Sequence, residues 1–374
     1  MNMVSGIGAI FVKRLFSRLG SYAAIFEASE AELCEVSQIS AYRAQSLLRE
    51  IRQVDWAREI ARAERLNVGL TTWLDEAYPK QLLEIPDPPL VIYSRGSLES
   101  LNQCCIAMVG TRRATVYGRE VAKKLAYQLA GAGYTIVSGL ATGIDGESHR
   151  GAVLAHGKTV GVLGGALNCF YPKENTALAK EMVESGGAVM TEYPLDRVPD
   201  RQTFPMRNRI VSGLCQGVLV VESPLSSGTM ITVQDALDHN RTVMCVPGRI
   251  DSPSSQGCHK LIREGARLVT SADEVMEEMD DLIGMAERRK AKSGTAAGAV
   301  PAEKREVERQ RPQAVLTPEE RKVYEALTSE GVLIDSIIRS SGLPSGKVSA
   351  ILIGLQIRRL ARTLPGGRVG LLNP

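Results

Sequence analysis

A chain of 374 residues exceeds what one hydrophobic core usually serves, so one large domain with smaller attachments, or two to three domains, is expected. Hydrophobic residues at 44% and charged residues at 23% exclude a wholly disordered or fibrous protein. With 45 Lys plus Arg against 42 Asp plus Glu, the net charge of +3 is too slight to imply a polyanionic partner, and such a partner must be argued from local clusters.

The N-terminal stretch is apolar only in short pieces broken by Lys13, Arg14 and Arg18, which reads as a helix and not as a signal peptide or membrane span. No membrane partner is expected. From residue 1 to 80, apolar positions such as Ile10, Leu15, Leu19, Leu33, Val36, Leu47, Leu48 and Ile51 fall at helical spacing. A small all-α domain, similar to a SAM or helix-hairpin-helix module, follows. Its Gly6-Ile7-Gly8 turn would let backbone amides approach a phosphate, whereas the later Val36 to Ser40 turn has no glycine. The favoured reading is therefore a protein-contact or spacer module, with phosphate contact the alternative.

Past Pro86, Pro88 and Pro89, short β-rich apolar runs alternate with helical segments: 105–109, 134–137, 159–163, 188–191, 217–221, 242–246 and 267–269. Most are apolar on both faces, the pattern of a parallel sheet covered by helices on each side. The fold class expected is α/β, an extended Rossmann-like, doubly wound parallel sheet over residues 85–285. Residues 286–314 are charged and small with two prolines, which predicts a disordered linker. Residues 315–374 read as three helices and a hairpin turning at Pro365-Gly366-Gly367, a winged helix.

Seven cysteines, odd in number and without a Cys-x-x-Cys pair, point to a reducing compartment and hence a cytoplasmic protein. Cys105, Cys215 and Cys245 sit in or beside apolar runs, as packing thiols do.

Ligands of an open parallel sheet bind beyond the carboxyl ends of its strands, which directs attention to the loops there. Gly110-Thr111-Arg112-Arg113, Ser138-Gly139 and Gly164-Gly165 are such loops, each leading toward a helix N-terminus that favours an anion. Neither Gly-x-Gly-x-x-Gly nor a Walker lysine is present, so no dinucleotide or other cofactor is expected. Arg112 instead suggests a phosphate pocket for a larger ligand. A second cluster sets Phe204 among Arg201, Arg207, Asn208 and Arg209; a ring for stacking beside cations for phosphates is what single-stranded nucleic acid requires. The opposing reading buries Phe204 in the core with the arginines in solvent. Lys260, near a helix start, is a further candidate phosphate contact.

Catalytic chemistry has weak support. His149, His156, His239 and His259 show no metal or triad spacing, so no metal is expected, and Asp145 and Glu147 near His149 read as helix-start carboxylates. Glu222, ahead of Ser227-Gly228-Thr229, is the residue an enzyme would use.

Val109-Gly110-Thr111-Arg112, Ser138-Gly139-Leu140-Ala141-x-Gly143-Ile144-Asp145, Tyr171-Pro172-x-Glu174-Asn175, Phe204-Pro205-x-Arg207-Asn208-Arg209-Ile210, Ser227-Gly228-Thr229 and Val246-Pro247-Gly248 together resemble, in order, the DNA-processing protein A (Smf) family. The resemblance covers nearly the whole chain. It implies a non-enzymatic protein that binds and protects single-stranded DNA without sequence preference, helps load the RecA recombinase, and forms a homodimer through its central domain. It further implies that Arg112 and loop amides meet phosphate, that Ser138 and Gly139 line the pocket, that Arg201 and Arg207 add charge, and that Phe204 stacks on a base. The alternative is a nucleoside-monophosphate N-glycosidic hydrolase of the lysine-decarboxylase-like Rossmann group, although Val233 stands where that group has a glutamate.

Overall fold

The computed structural model describes residues 2–4, 7–37, 39–280, 317–328, 332–345, 347, 348, 351, 352, 355, 361–364 and 368–371. The chain divides into two compact units, Met1–Ala297 and Gly298–Pro374. The linker expected at 286–314 lies outside the described residues.

The first unit opens with helices α1 (Ala9–Leu19), α2 (Tyr22–Glu27), α3 (Glu30–Ser37), α4 (Ala41–Gln53) and α5 (Trp56–Arg65). Ser21, Ser40 and Asp55 start α2, α4 and α5 by accepting the amides of Ala24, Arg43 and Arg58 at 3.1, 3.3 and 2.9 Å, which satisfies donors a helix start leaves open. Leu15, Ile25, Leu33 and Leu47 meet in a core of their own, packed partly against Leu90 and Trp73. Hydrophobic spacing at period 3.6 has produced the helices it predicts.

The sheet contains β1 (Gly69–Thr72), β2 (Val91–Gly96), β3 (Cys105–Gly110), β4 (Thr135–Ser138), β5 (Thr159–Val162), β6 (Ala188–Thr191), β7 (Gly217–Glu222), β8 (Thr242–Cys245) and β9 (Arg267–Leu268), in the spatial order β1-β2-β6-β5-β4-β3-β7-β8-β9. From β6 to β9 all neighbours are parallel. The expected runs form these seven strands. β2 pairs antiparallel with β6, and β1 antiparallel with β2, an edge the sequence reading did not include. β1 lies inside the stretch expected to be helical.

Helices α6 (Lys80–Leu83), α7 (Val116–Gly131), α8 (Ile144–Leu154), α9 (Thr176–Glu184), α10 (Thr203–Gly213), α11 (Thr229–Asp238) and α12 (Gln256–Arg263) cover the sheet. Strand side chains alternate between faces, so one run feeds two cores. Ile106, Met108, Leu219 and Met244 pack with Leu125 and Leu129 of α7 on one side. Ala107, Val109, Val218 and Val220 pack with Ile210 of α10 and Val233 of α11 on the other.

In the second unit, Thr317 begins the helix Pro318–Glu325 with a capping box to Glu320, and the helix Ile334–Ser341 follows. Residues 345, 347, 348, 351, 352 and 355 are helical. β10 (Val332–Leu333), β11 (Ala361–Leu364) and β12 (Arg368–Leu371) form an antiparallel sheet in the order β10-β12-β11 around Val323, Ile337, Leu355 and Val369. This is the winged-helix arrangement. The expected turn at residues 365–367 lies outside the described residues.

Candidate nucleic-acid interface

Strand order reverses beside β3: β4, β5 and β6 lie to one side, and β7 to the other. Connections leave β3 and β7 in opposite directions, which opens a crevice between them at their carboxyl ends. A cleft of about 500 Å³ occupies it, lined by Gly110 to Arg113 after β3, Gly139 and Ala141 after β4, the first turns of α10, and the loop from Pro224 to Gly228 after β7.

The loop after β3 is fixed by its backbone. A Cβ on Gly110 would stand 2.5 Å from Ile144 Cγ1 and 2.7 Å from the Glu222 carbonyl, so only glycine passes there. The Thr111 amide donates to the Glu222 carbonyl at 2.8 Å, and the Thr111 carbonyl accepts from the Ile144 amide at 3.3 Å. With its backbone tied, the loop presents Arg112 and Arg113 to solvent. The Arg112 guanidinium carbon stands 4.8 Å from the centroid of the Phe204 ring, a cation–π arrangement. Phe204 is half-buried on the first turn of α10, and exposed Arg201 lies just before that helix. Arg112, Arg113 and Arg201 are not paired with a carboxylate among the described residues. Neighbouring Arg197, by contrast, is held by Asp200 at 2.6 Å.

The cleft floor is built around Arg207. This side chain is 4% exposed, and its Nη1 donates to the carbonyls of Gly139 and Val162, tying the loop after β4 to the end of β5. Its Nε donates to Asn208 Oδ1 at 3.2 Å. Burial lowers the guanidinium to about 10, with Asp145 opposing the shift, so it stays charged at neutral pH. Burial likewise raises the Asp145 carboxyl, against the pull of Arg207, the Ala141 amide and Arg112. Asp145 Oδ2 accepts from the Gly139 amide at 3.2 Å and so shapes the same loop. Arg207 is thus a nearly buried cation that holds the floor together and also lines the cleft.

Other expected site residues lie elsewhere. Ser138 is fully buried and its Oγ donates to the Met108 carbonyl at 2.6 Å, inside the sheet and away from the pocket. Arg209 is engaged by Glu192 at 2.6 Å and Asp87 at 3.2 Å with its side chain only 12% exposed, which removes it from a ligand's reach. Lys260, on α12, approaches Glu264 at 3.7 Å and does not line the cleft. Gly110, Thr111, Arg112, Gly139, Arg201, Phe204, Arg207 and Asn208 are brought together. Arg113 and Asp145 were not among the expected site residues; the adjacency of Arg113 to Arg112 was the available signal for the first, while the burial of Asp145 leaves no mark in sequence.

The candidate catalytic groups have packing partners. Glu222 is 3% exposed, and its two oxygens accept the Thr115 amide and hydroxyl, each at 2.8 Å, at the start of α7. His149 is fully buried with Nδ1 2.7 Å from the Thr159 hydroxyl, which itself donates to the Ile136 carbonyl. Burial, with Arg207 and Arg150 nearby, depresses His149 to about 3. Among the described residues no group of three or more His, Cys, Asp or Glu is placed to hold a metal ion, and no helix is long and apolar enough to cross a membrane.

Fold and cleft together define a Rossmann-like protein with a cationic, aromatic-edged crevice at the switch point of its sheet. Comparison with known proteins identifies which such family this is. The family model for DNA recombination-mediator protein A matches residues 69–280, and that for the DprA winged helix domain matches residues 307–367. Protein Smf of Synechocystis is 31% identical over 98% of this chain and 96% of its own length. Protein Smf of Escherichia coli is 44% identical over 54% of each chain, so that match spans about half of the relative. The X-ray structure of DNA processing protein A from Streptococcus pneumoniae superposes with a TM-score of 0.64 at 33% identity, covering 73% of this chain and 94% of that one. DNA processing protein A from Helicobacter pylori, whose structure concerns its single-stranded DNA binding mode, gives a TM-score of 0.51 at 28% identity over 57% of this chain and 96% of that one. The chain belongs to the DNA recombination-mediator protein A family.

The buried histidine beneath the cleft makes stability depend on pH. Folded protein keeps His149 neutral down to about pH 3, whereas an unfolded histidine takes up a proton below its ordinary value of 6.5. Its contribution is therefore intact above that value and is lost as pH falls between the two, at about 1.4 kcal/mol per pH unit. Urea denaturation of His149→Gln from pH 7.5 to 5 is expected to show a shallower loss than wild type; parallel curves contradict the assignment.

Proposed function

We propose that the cleft binds single-stranded DNA, with Arg112, Arg113 and Arg201 on phosphates and Phe204 under a base. The observation that carries this reading is the Arg112 guanidinium lying over the Phe204 ring at the rim, 4.8 Å from its centroid, so that a base takes the ring face as the cation turns to a phosphate. A flexible polyanion with exposed ring faces needs both. The relative from H. pylori, described by its single-stranded DNA binding mode, supports it. Tying Glu222 to Thr115 through both oxygens removes the acid that an N-glycosidic hydrolase would use, which favours a binding role over an enzymatic one. The protein acts in the cytoplasm and as a homodimer in this reading. Its segments, a helical module to about residue 80, a sheet domain over 85–285, a linker over 286–314 and a winged helix over 315–374, divide the labour, with DNA on the second and protein contact on the last.

Anisotropy of a labelled thymidine oligomer is expected to show binding that weakens with salt. Phe204→Ala should lose roughly 5- to 150-fold, the range for one stacked base. Arg112→Ala should lower affinity and flatten the salt dependence by about 0.7 log unit per log unit of salt. Lys260→Ala, outside the cleft, should change neither; equal affinity of all four proteins overturns the proposal.

A strand protected in this way is passed to the RecA recombinase. Co-precipitation of purified RecA with the full chain should be seen and should strengthen with added single-stranded DNA. RecA that stays in the supernatant under both conditions removes this step.

A further inference from the structure

One wall of the cleft holds neither Arg112 nor Phe204. It is the turn from Ser226 to Gly228 after β7 with the start of α11, and it is rich in donors. The amides of Ser226, Ser227, Gly228 and Thr229 donate to no other group among the described residues. Thr229 and, one turn further, Thr232 are 6% and 4% exposed and line the cavity, yet neither hydroxyl has a hydrogen-bond partner among the described residues. A polar group so nearly removed from water is costly to leave unmet, so two such hydroxyls on one wall point to a bound acceptor.

The turn is held ready for it. Ser227 Oγ lies 2.8 Å from Ser223 Oγ, and the Ser223 carbonyl accepts the Gly257 amide at 2.8 Å, which fixes the turn to the end of β7 and the start of α12. A Cβ on Gly228 would meet nothing within 4 Å, so the approach to the amides is open. Among the described residues Asp145 is the one acid that lines the cavity, and it accepts the Gly139 amide after β4. Unused amides, hydroxyls and a helix dipole with no acid beside them suit an anion.

Resting on the reading of the cleft as a single-stranded DNA site, we propose that the start of α11 holds the phosphate monoester that ends a DNA strand. A terminal monoester carries a charge of about −1.5 to −2 at neutral pH and three unesterified oxygens, whereas a phosphate inside the strand carries a single charge and one free oxygen fewer. The α11 dipole favours the larger charge. The free amides and the Thr229 and Thr232 hydroxyls together supply donors for all three oxygens, where a diester would leave some of them idle. Phe204 and Arg112 then engage the nucleotides that follow, so that the walls of the cleft act on one strand. No base edge is read at this position, and the preference is for an end and not for a sequence.

The test is competition by unlabelled thymidine oligomers of equal length, bearing a 5′-phosphate, a 3′-phosphate or hydroxyls at both ends, against an internally labelled strand bound to the full chain. Wild type should prefer at least one of the phosphorylated strands to the unphosphorylated one by about tenfold, the scale of charge-assisted bonds at a helix start. In Thr229→Val, and likewise in Thr232→Val, that ratio should fall to about threefold or less, whereas Thr229→Ser, which keeps the hydroxyl, should retain it. Equal competition by all three strands with wild type, or a ratio that both valine variants leave intact, overturns the assignment while leaving the cleft reading standing. Thymidine monophosphate that competes as well as the better phosphorylated strand gives the site to a free nucleotide and overturns the strand end. Failure of wild type to bind any strand sinks the cleft reading and this one with it.

Discussion

The groove depends on a guanidinium that has almost no water around it. Burying the charge of Arg207 is unfavourable unless its donors are met and an opposite charge stands near. The carbonyls of Gly139 and Val162 accept from its Nη1 and the Asn208 side chain from its Nε, and Asp145 supplies the charge. In satisfying Arg207, the loop after β4, the end of β5 and helix α10 become one rigid floor. Taking one partner from such an arrangement typically costs about 3–5 kcal/mol, because the other charge stays buried and unmatched.

Positioning at the rim follows from that floor. On α10, Phe204 stands three residues before Arg207 and therefore on the same face of the helix, where anchoring one aims the other. Glycine at 110 lets β3 end against Ile144 and the Glu222 carbonyl, which swings Arg112 over the ring from the opposite bank. Strand order fixes the two banks, sheet topology opens the space between them, and buried charge keeps the aromatic surface in place. Arg112, Arg113 and Arg201 at the edge have no carboxylate partner among the described residues, while the buried arginines hold shape.

Much of this was legible in sequence, for physical reasons that also mark where it failed. Strands buried on both faces must be apolar throughout, so 105–109 or 217–221 announce themselves. Gly69–Thr72 does not, because an edge strand half open to solvent needs no large side chain. The chain neighbourhood of Phe204, Arg207 and Arg209 suggested a single cationic cluster. Helical geometry divides it: two residues along a helix turn the side chain by about 200°, which sends Arg209 to Asp87 and Glu192 while Arg207 goes under the cleft. Ser138 shows the same limit in a strand, where its hydroxyl points into the sheet although its neighbour Gly139 lines the pocket. The opposing possibility, a buried Phe204 with all its arginines in solvent, is met by neither; the ring is half-buried and the arginines divide.

The account's central claim is that bases rest on the Phe204 rim of this crevice. Photocrosslinking with a strand carrying 5-iododeoxyuridine, followed by digestion and peptide sequencing, reads that contact directly. The account predicts crosslinks to the peptide that contains Phe204. Efficient crosslinking confined to the helices before residue 66 or to the winged helix, with that peptide unmodified, would contradict it.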